Sequence, residues 1–408
     1  MFRLIKNALS LIGSNLMDKM AYLVLNIIVA RELSSVEFGA FSICISLMYI
    51  GNILSNFGVE YVVIREAAKN RENSPSIYCN ALASTFIFST ISWILLAGLS
   101  FLLKYPEPVV RLMSLGGVLF IFMGLGQTSI AIVKAFERME ICALVDGLRS
   151  VASVAFAVGI LWLGAGFVGI VGILMFLQAA SSMVMVLIVH RWFVTIKPDL
   201  DFAAIIRIVK MAAPFAILMS FGVLMRRVDI LFLGWLRPLD DVALYGIASR
   251  FYDFLAIFSG GMVGALYPAL AVKIRCSGEE SWKLYCDSLS LFASVGFGAA
   301  LASVALAEPM IGWIFGEKYV SASTALCWLG LSFFFTVLSG PAGILVLATG
   351  DRVYWLVLLS LGVLLANIVL NLTLIPFYTY NGAGIAACGS TLVAFVGKML
   401  LARSYFGR

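Results

Sequence analysis

Apolar runs of about twenty residues recur along the whole chain, separated by short polar turns. Each is long enough for a helix to cross the ~30 Å hydrocarbon core of a bilayer. Twelve such runs fit, at approximately 8–30, 39–60, 78–103, 110–133, 141–163, 166–189, 212–235, 242–270, 287–306, 321–348, 354–376 and 382–401. The pattern predicts an all-α polytopic membrane protein of about 12 transmembrane helices, in two six-helix lobes around a central cavity. The longest polar stretch, His190 to Met211, divides an N-terminal lobe (1–190, spans 1–6) from a C-terminal lobe (212–408, spans 7–12), with 191–211 as a cytoplasmic inter-lobe loop. A short repeat supports the division: Glu37-Phe38-Gly39-Ala40-Phe41 opens span 2, and Asp241-Val242-Ala243-Leu244-Tyr245 opens span 8. An even number of spans per half makes the halves parallel repeats about an axis along the membrane normal, an arrangement found in transporters with a site between two lobes.

Composition narrows the function classes. Only 12% of the 408 residues are charged and 62% are hydrophobic, against about 25% charged in soluble chains. The net charge of +6 does not point to nucleic acid, because the basic residues lie in short loops rather than on a soluble domain. Their bias places both termini on the cytoplasmic side. The basic start, Met1 to Lys6, meets no small-residue cleavage site and reads as the flank of an uncleaved first span. Seven cysteines without a metal-ligand spacing and a single histidine, His190, predict no metal site, no cofactor and no catalytic residue. The outer loops are too short for a polysaccharide polymerase or glycosyltransferase site. Asp240-Asp241, the one adjacent acidic pair there, reads as the cap of span 8.

Against this apolar background the in-span polar groups stand out. Met225-Arg226-Arg227-Val228-Asp229 lies midway along span 7 and Arg250-Phe251-Tyr252-Asp253 lies in span 8. Each charge costs about 2.5–3.5 kcal/mol at a bilayer centre on the insertion scale, unless it faces protein or water. Span 1 carries Asn15, Asp18, Lys19, Tyr22 and Asn26 at helical spacing, one polar stripe. Span 2 carries Asn52, Asn56 and Glu60 at i+4 steps. Asp146 and Arg149, Arg226 and Asp229, and Arg250 and Asp253 are each an acid and a base at i, i+3, a spacing that allows pairing along one helix face. Depth along the spans puts Lys19, Arg227 and Arg250 in one layer. The charges also read as mutually satisfied pairs holding helices together, and the asparagines as interhelical glue. Arg226-Arg227-Asp229 fits that reading least, since one arginine is left over.

Two stretches resemble a known family. Ala30-Arg31-Glu32-Leu33-Ser34 with Glu37-Phe38-Gly39, and Arg227-Val228-Asp229-Ile230-Leu231-Phe232-Leu233-Gly234 with Tyr245-Gly246-Ile247-Ala248-Ser249-Arg250, are similar to motifs of bacterial polysaccharide-biosynthesis (O-antigen and exopolysaccharide) flippases. These belong to the multidrug/oligosaccharidyl-lipid/polysaccharide exporter superfamily. The resemblance implies a monomeric, non-enzymatic transporter of the bacterial inner membrane. It implies movement of undecaprenyl-diphosphate-linked oligosaccharide from the cytoplasmic to the periplasmic leaflet by alternating access, alongside polysaccharide polymerase and chain-length machinery. Spans 1, 2, 7 and 8 would then line the cavity. Lys19, Arg226, Arg227 and Arg250 would present a cationic substrate-binding layer, since guanidinium groups hold phosphate bidentately. Asp18, Asp229 and Asp253 would hold those cations or bind a coupling ion, proton or sodium. Asn15, Tyr22, Asn26, Asn52, Asn56 and Glu60 would meet the sugar. The alternative in the same superfamily is a drug/cation antiporter, which favours cavity acids without a basic surplus.

Overall fold

Ser34 ends one helix and starts the next. Its hydroxyl accepts from the Glu37 backbone N–H while the Glu37 carboxylate accepts from the Ser34 N–H, a reciprocal cap that satisfies two otherwise orphaned donors. The structure, a computed structural model, describes residues 2–194, 200–276, 278–349 and 353–406. Lys197, Arg352 and Arg408, whose charges entered the orientation argument, lie outside the described residues, as does the 195–199 part of the predicted inter-lobe loop.

Every described secondary-structure element is helical. In chain order they are α1 (Phe2–Glu32), α2 (Ser35–Asn56), α3 (Val59–Lys69), α4 (Ser74–Leu102), α5 (Glu107–Leu115), α6 (Leu119–Ala135), α7 (Met139–Trp162) and α8 (Gly166–Trp192). Then follow α9 (Phe202–Leu236), α10 (Leu239–Cys276), α11 (Gly278–Phe315), α12 (Ser323–Leu338), α13 (Gly340–Thr349) and α14 (Val353–Phe406). Among the described residues nine helical stretches are long and apolar enough to cross a membrane, and the bent pair 202–217 with 219–236 makes a tenth. α1 has the length, at 31 residues, but its polar stripe lowers its hydropathy.

The last stretch counts twice. α14 is broken at Thr379, whose φ of 55° and ψ of −137° are not helical. Beyond it the chain folds back: Asn367 donates to the Ser390 hydroxyl at 3.2 Å, and the Gly389 and Gly397 positions lie against Leu370 and Leu359. As one contact moves up the first arm, its partner moves down the second, so the arms are antiparallel and supply the predicted spans 11 and 12. Gly382 makes the tight return possible. A Cβ there would stand 2.4 Å from the Leu374 carbonyl oxygen and 2.8 Å from the Ile375 nitrogen.

Span 2 is not continuous. Phe57 (φ 45°) and Gly58 (φ 72°) break it into α2 and α3, so the i+4 ladder Asn52, Asn56, Glu60 does not run along one straight helix. Asn56 bridges the break: its Oδ1 accepts from the Glu60 backbone N–H at 3.1 Å, and its amide donates to the Glu60 carboxylate at 3.2 Å. Gly58 is required twice over, by its left-handed backbone and by crowding, since a Cβ would meet Ala216 N and Ala212 O within 3 Å.

The chain divides into two compact units, Met1–Leu224 and Met225–Arg408, the division falling inside α9. In the first unit small residues let helices approach closely. A Cβ on Gly124 would meet Ser89 at 2.1 Å and one on Gly126 would meet Ser182 at 2.4 Å. Hydroxyls then link neighbours, as between Tyr78 and Ser129 at 2.8 Å. The second unit repeats the device with Gly330 against Ser303 and Ser332 bonded to Thr391 at 3.2 Å. The internal repeat extends to an element start: α2 and α10 begin at Ser35 and Leu239, 204 apart. Pro214, Pro268, Pro309 and Pro376 lie inside helices, and Pro341 sits in the first turn of α13, where its missing N–H is no loss.

Candidate functional site

The predicted residues fall in two places, one in each unit. In the first, α1, α2, α6, α7 and α8 enclose a cavity of about 320 Å³. Asn15, Asp18 and Tyr22 of α1 and Asn52 of α2 line it, together with residues that sequence spacing did not single out, Gln127 of α6 and Gln178 of α8. Tyr22 meets Tyr49 edge to face, with ring centroids 6.2 Å apart. Asp18 takes a hydrogen bond from Arg149 at 2.5 Å and one from the Ser150 hydroxyl at 2.7 Å. Arg149 is also 3.9 Å from Asp146. The i, i+3 pair on α7 thus exists, but as the longer arm of a triad whose closer contact crosses to α1. Asp18 holds Arg149 rather than its neighbour Lys19, which is exposed. Two further predicted residues are occupied locally. Asn26 is fully buried and donates to the Tyr22 carbonyl at 2.7 Å. Glu60 forms a 2.5 Å ion pair with Lys134 of α6.

In the second unit α9 and α10 bring the arginines together. Arg227 is 5% exposed and Arg250 2%, and both guanidinium groups approach one carboxylate, Asp253, at 3.0 and 3.9 Å. Arg226 is exposed beside them. Both buried guanidinium groups lie in a setting where Coulomb interactions are weakly screened. Asp229 has other partners. It is buried, and its carboxylate accepts from the Tyr245 hydroxyl at 2.6 Å and the Asn371 amide at 2.7 Å. The expected pairing of Arg226 with Asp229 along one helix face is replaced by this polar cluster, because Asp229 points into the packing against α10 and α14 while Arg226 stays at the surface. Asn371 also donates to Asn367, at 2.9 Å to its carbonyl. Nothing in the sequence spacing of either asparagine ties it to Asp229. Among the described residues no group of three or more His, Cys, Asp or Glu stands close enough to hold a metal ion.

A profile of the family described as "Polysaccharide biosynthesis protein" matches residues 4–272. No curated protein matches the chain. Among solved structures, one described as "Lipid II flippase MurJ, inward closed conformation" superposes with a TM-score of 0.80 at 13% identity, covering 98% of this chain and 87% of that one. An inward-facing multidrug resistance MATE family transporter of the MOP superfamily gives 0.75 at 14%, covering 96% and 94%. The Vibrio cholerae MATE transporter VcmN gives 0.62 at 14%, covering 99% and 98%. At these identities the likeness is one of fold.

Proposed function

The chain belongs to the polysaccharide biosynthesis protein family, and from that premise we propose that it is a flippase for lipid-linked oligosaccharide. It carries undecaprenyl-diphosphate-linked repeat units from the cytoplasmic to the periplasmic leaflet of the bacterial inner membrane by alternating access, for O-antigen or exopolysaccharide assembly. Both termini are cytoplasmic, and the protein works as a monomer beside polymerase and chain-length machinery. The observation that carries the reading is the approach of Arg227 and Arg250 to the single carboxylate of Asp253. The diphosphate is the most expensive part of such a lipid to bring through hydrocarbon. Charge-assisted bonds of guanidinium to phosphate, about 1.5–3 kcal/mol each, offset that expense. Arg226 adds to the cationic surface, and Lys19 of α1 supplies an exposed cation in the first unit. Asp253 holds the arginines in place when substrate is absent, and Asp229, with its own donors, is the residue for a coupling ion.

The second reading, a drug/cation antiporter, is favoured by the first unit, where two carboxylates, Asp18 and Asp146, face one guanidinium. One experiment separates the two. The Arg227→Ala, Arg250→Ala double variant, expressed at wild-type level in a strain lacking its own flippase, is expected to lose surface polysaccharide by tenfold or more. Retained polysaccharide overturns the flippase reading, and lost drug resistance in its place supports the antiporter.

A further inference from the structure

The first unit's cavity has a chemistry unlike that of the arginine cluster. Its volume, about 320 Å³, sits at the small end of the roughly 300–1,000 Å³ of ligand pockets. Neutral amide side chains, Asn52, Gln127 and Gln178, reach it from three helices, and Tyr22 and Tyr49 offer ring surface. Arg149 stands between Asp18 and Asp146 at 2.5 and 3.9 Å, so the charged lining carries one negative charge more than positive. A diphosphate placed here meets like charge.

We propose that this cavity binds a sugar residue without negative charge, neutral or N-acetylated, from the glycan of the transported lipid. The proposal rests on the flippase reading and deepens it: the amides and tyrosines of this cavity read the saccharide of the lipid that reading assigns. The sugar's hydroxyls bond to the amides of Asn52, Gln127 and Gln178, and the tyrosine rings cover the apolar ring face of the sugar.

The test uses the full chain in lipid nanodiscs and three probes: a polyprenyl diphosphate, the same lipid bearing one N-acetylhexosamine, and the same lipid bearing one uronic acid. The unmodified protein is expected to bind the N-acetylhexosamine lipid about tenfold tighter than the bare diphosphate lipid, and the uronic acid lipid without that advantage. Gln127→Met and Gln178→Met keep side-chain volume while removing the amides. Together they are expected to reduce the preference to about one and leave affinity for the bare lipid unchanged. A preference that survives in the folded double variant overturns the proposal. So does a uronic acid lipid bound as tightly as the N-acetylhexosamine lipid, a result that needs no variant. Failure of the flippase reading looks different: the bare diphosphate lipid then binds equally with or without Arg227→Ala.

Discussion

Asp18, Glu60 and Asp229 each take a partner from a distant helix: Arg149, 131 residues on, Lys134, 74 on, and Asn371, 142 on. Spacing rules see only neighbours on one helix face. They found Asp146 with Arg149 and Arg250 with Asp253, and gave Asp229 to Arg226 when the fold gives it to Tyr245 and Asn371. Which residues are polar inside the membrane was therefore legible, and which of them meet was not. The triad around Arg149 makes this testable. Arg149→Leu leaves Asp18 and Asp146 facing one another without a cation, and is expected to lower the melting temperature in detergent. Adding Asp18→Asn and Asp146→Asn is expected to recover most of the loss, because the uncompensated charge is the larger part of the damage when one partner of an ion pair is removed. Equal melting of the single and triple variants would show that Arg149 stabilises through packing alone. The arginine cluster gives a second expectation. Asp253→Ala removes the one acid shared by two buried guanidinium groups, and is expected to destabilise the empty protein while an added polyprenyl diphosphate restores its melting temperature. Absence of that rescue would count against anion binding at Arg227 and Arg250.

At the scale of elements, hydropathy located the long helices, because a run of about twenty apolar residues has few alternatives in a bilayer. Departures from regular helix were the harder part. The break at Phe57-Gly58 sits inside an unbroken apolar and asparagine pattern, and only the positive φ values reveal it. The return at Thr379 was placed in the loop 377–381, but its tightness depends on the approach of Gly382 to the backbone of Leu374 and Ile375, a tertiary contact. Gly382→Ala forces those backbone atoms apart, since no flexible side chain there can yield. A loss of about 1–3 kcal/mol, the usual range for overpacking, is expected, read as a lower denaturation midpoint in detergent. Gly98→Ala inside α4, where a Cβ meets nothing within 4 Å, is the control expected to melt no lower than the unmodified protein.

For the whole molecule, the repeat read from five matched positions extends to the starts of α2 and α10 at the same offset, yet its two copies differ in continuity. Shifting Phe57 and Gly58 by that offset lands on Gly261 and Met262, next to Gly260, where α10 runs on without interruption. A Cβ at Gly260 or Gly261 would meet nothing within 4 Å. The segment is thus broken by left-handed backbone in the first unit and continuous in the second. The continuous copy keeps adjacent glycines where its twin breaks, and each lowers helix stability by about 1 kcal/mol relative to alanine. Gly260→Ala with Gly261→Ala stiffens the continuous copy without crowding it, so lipid binding is expected to persist while the rate of flipping in proteoliposomes falls severalfold. An unchanged rate would show that α10 crosses the transport cycle as a rigid rod.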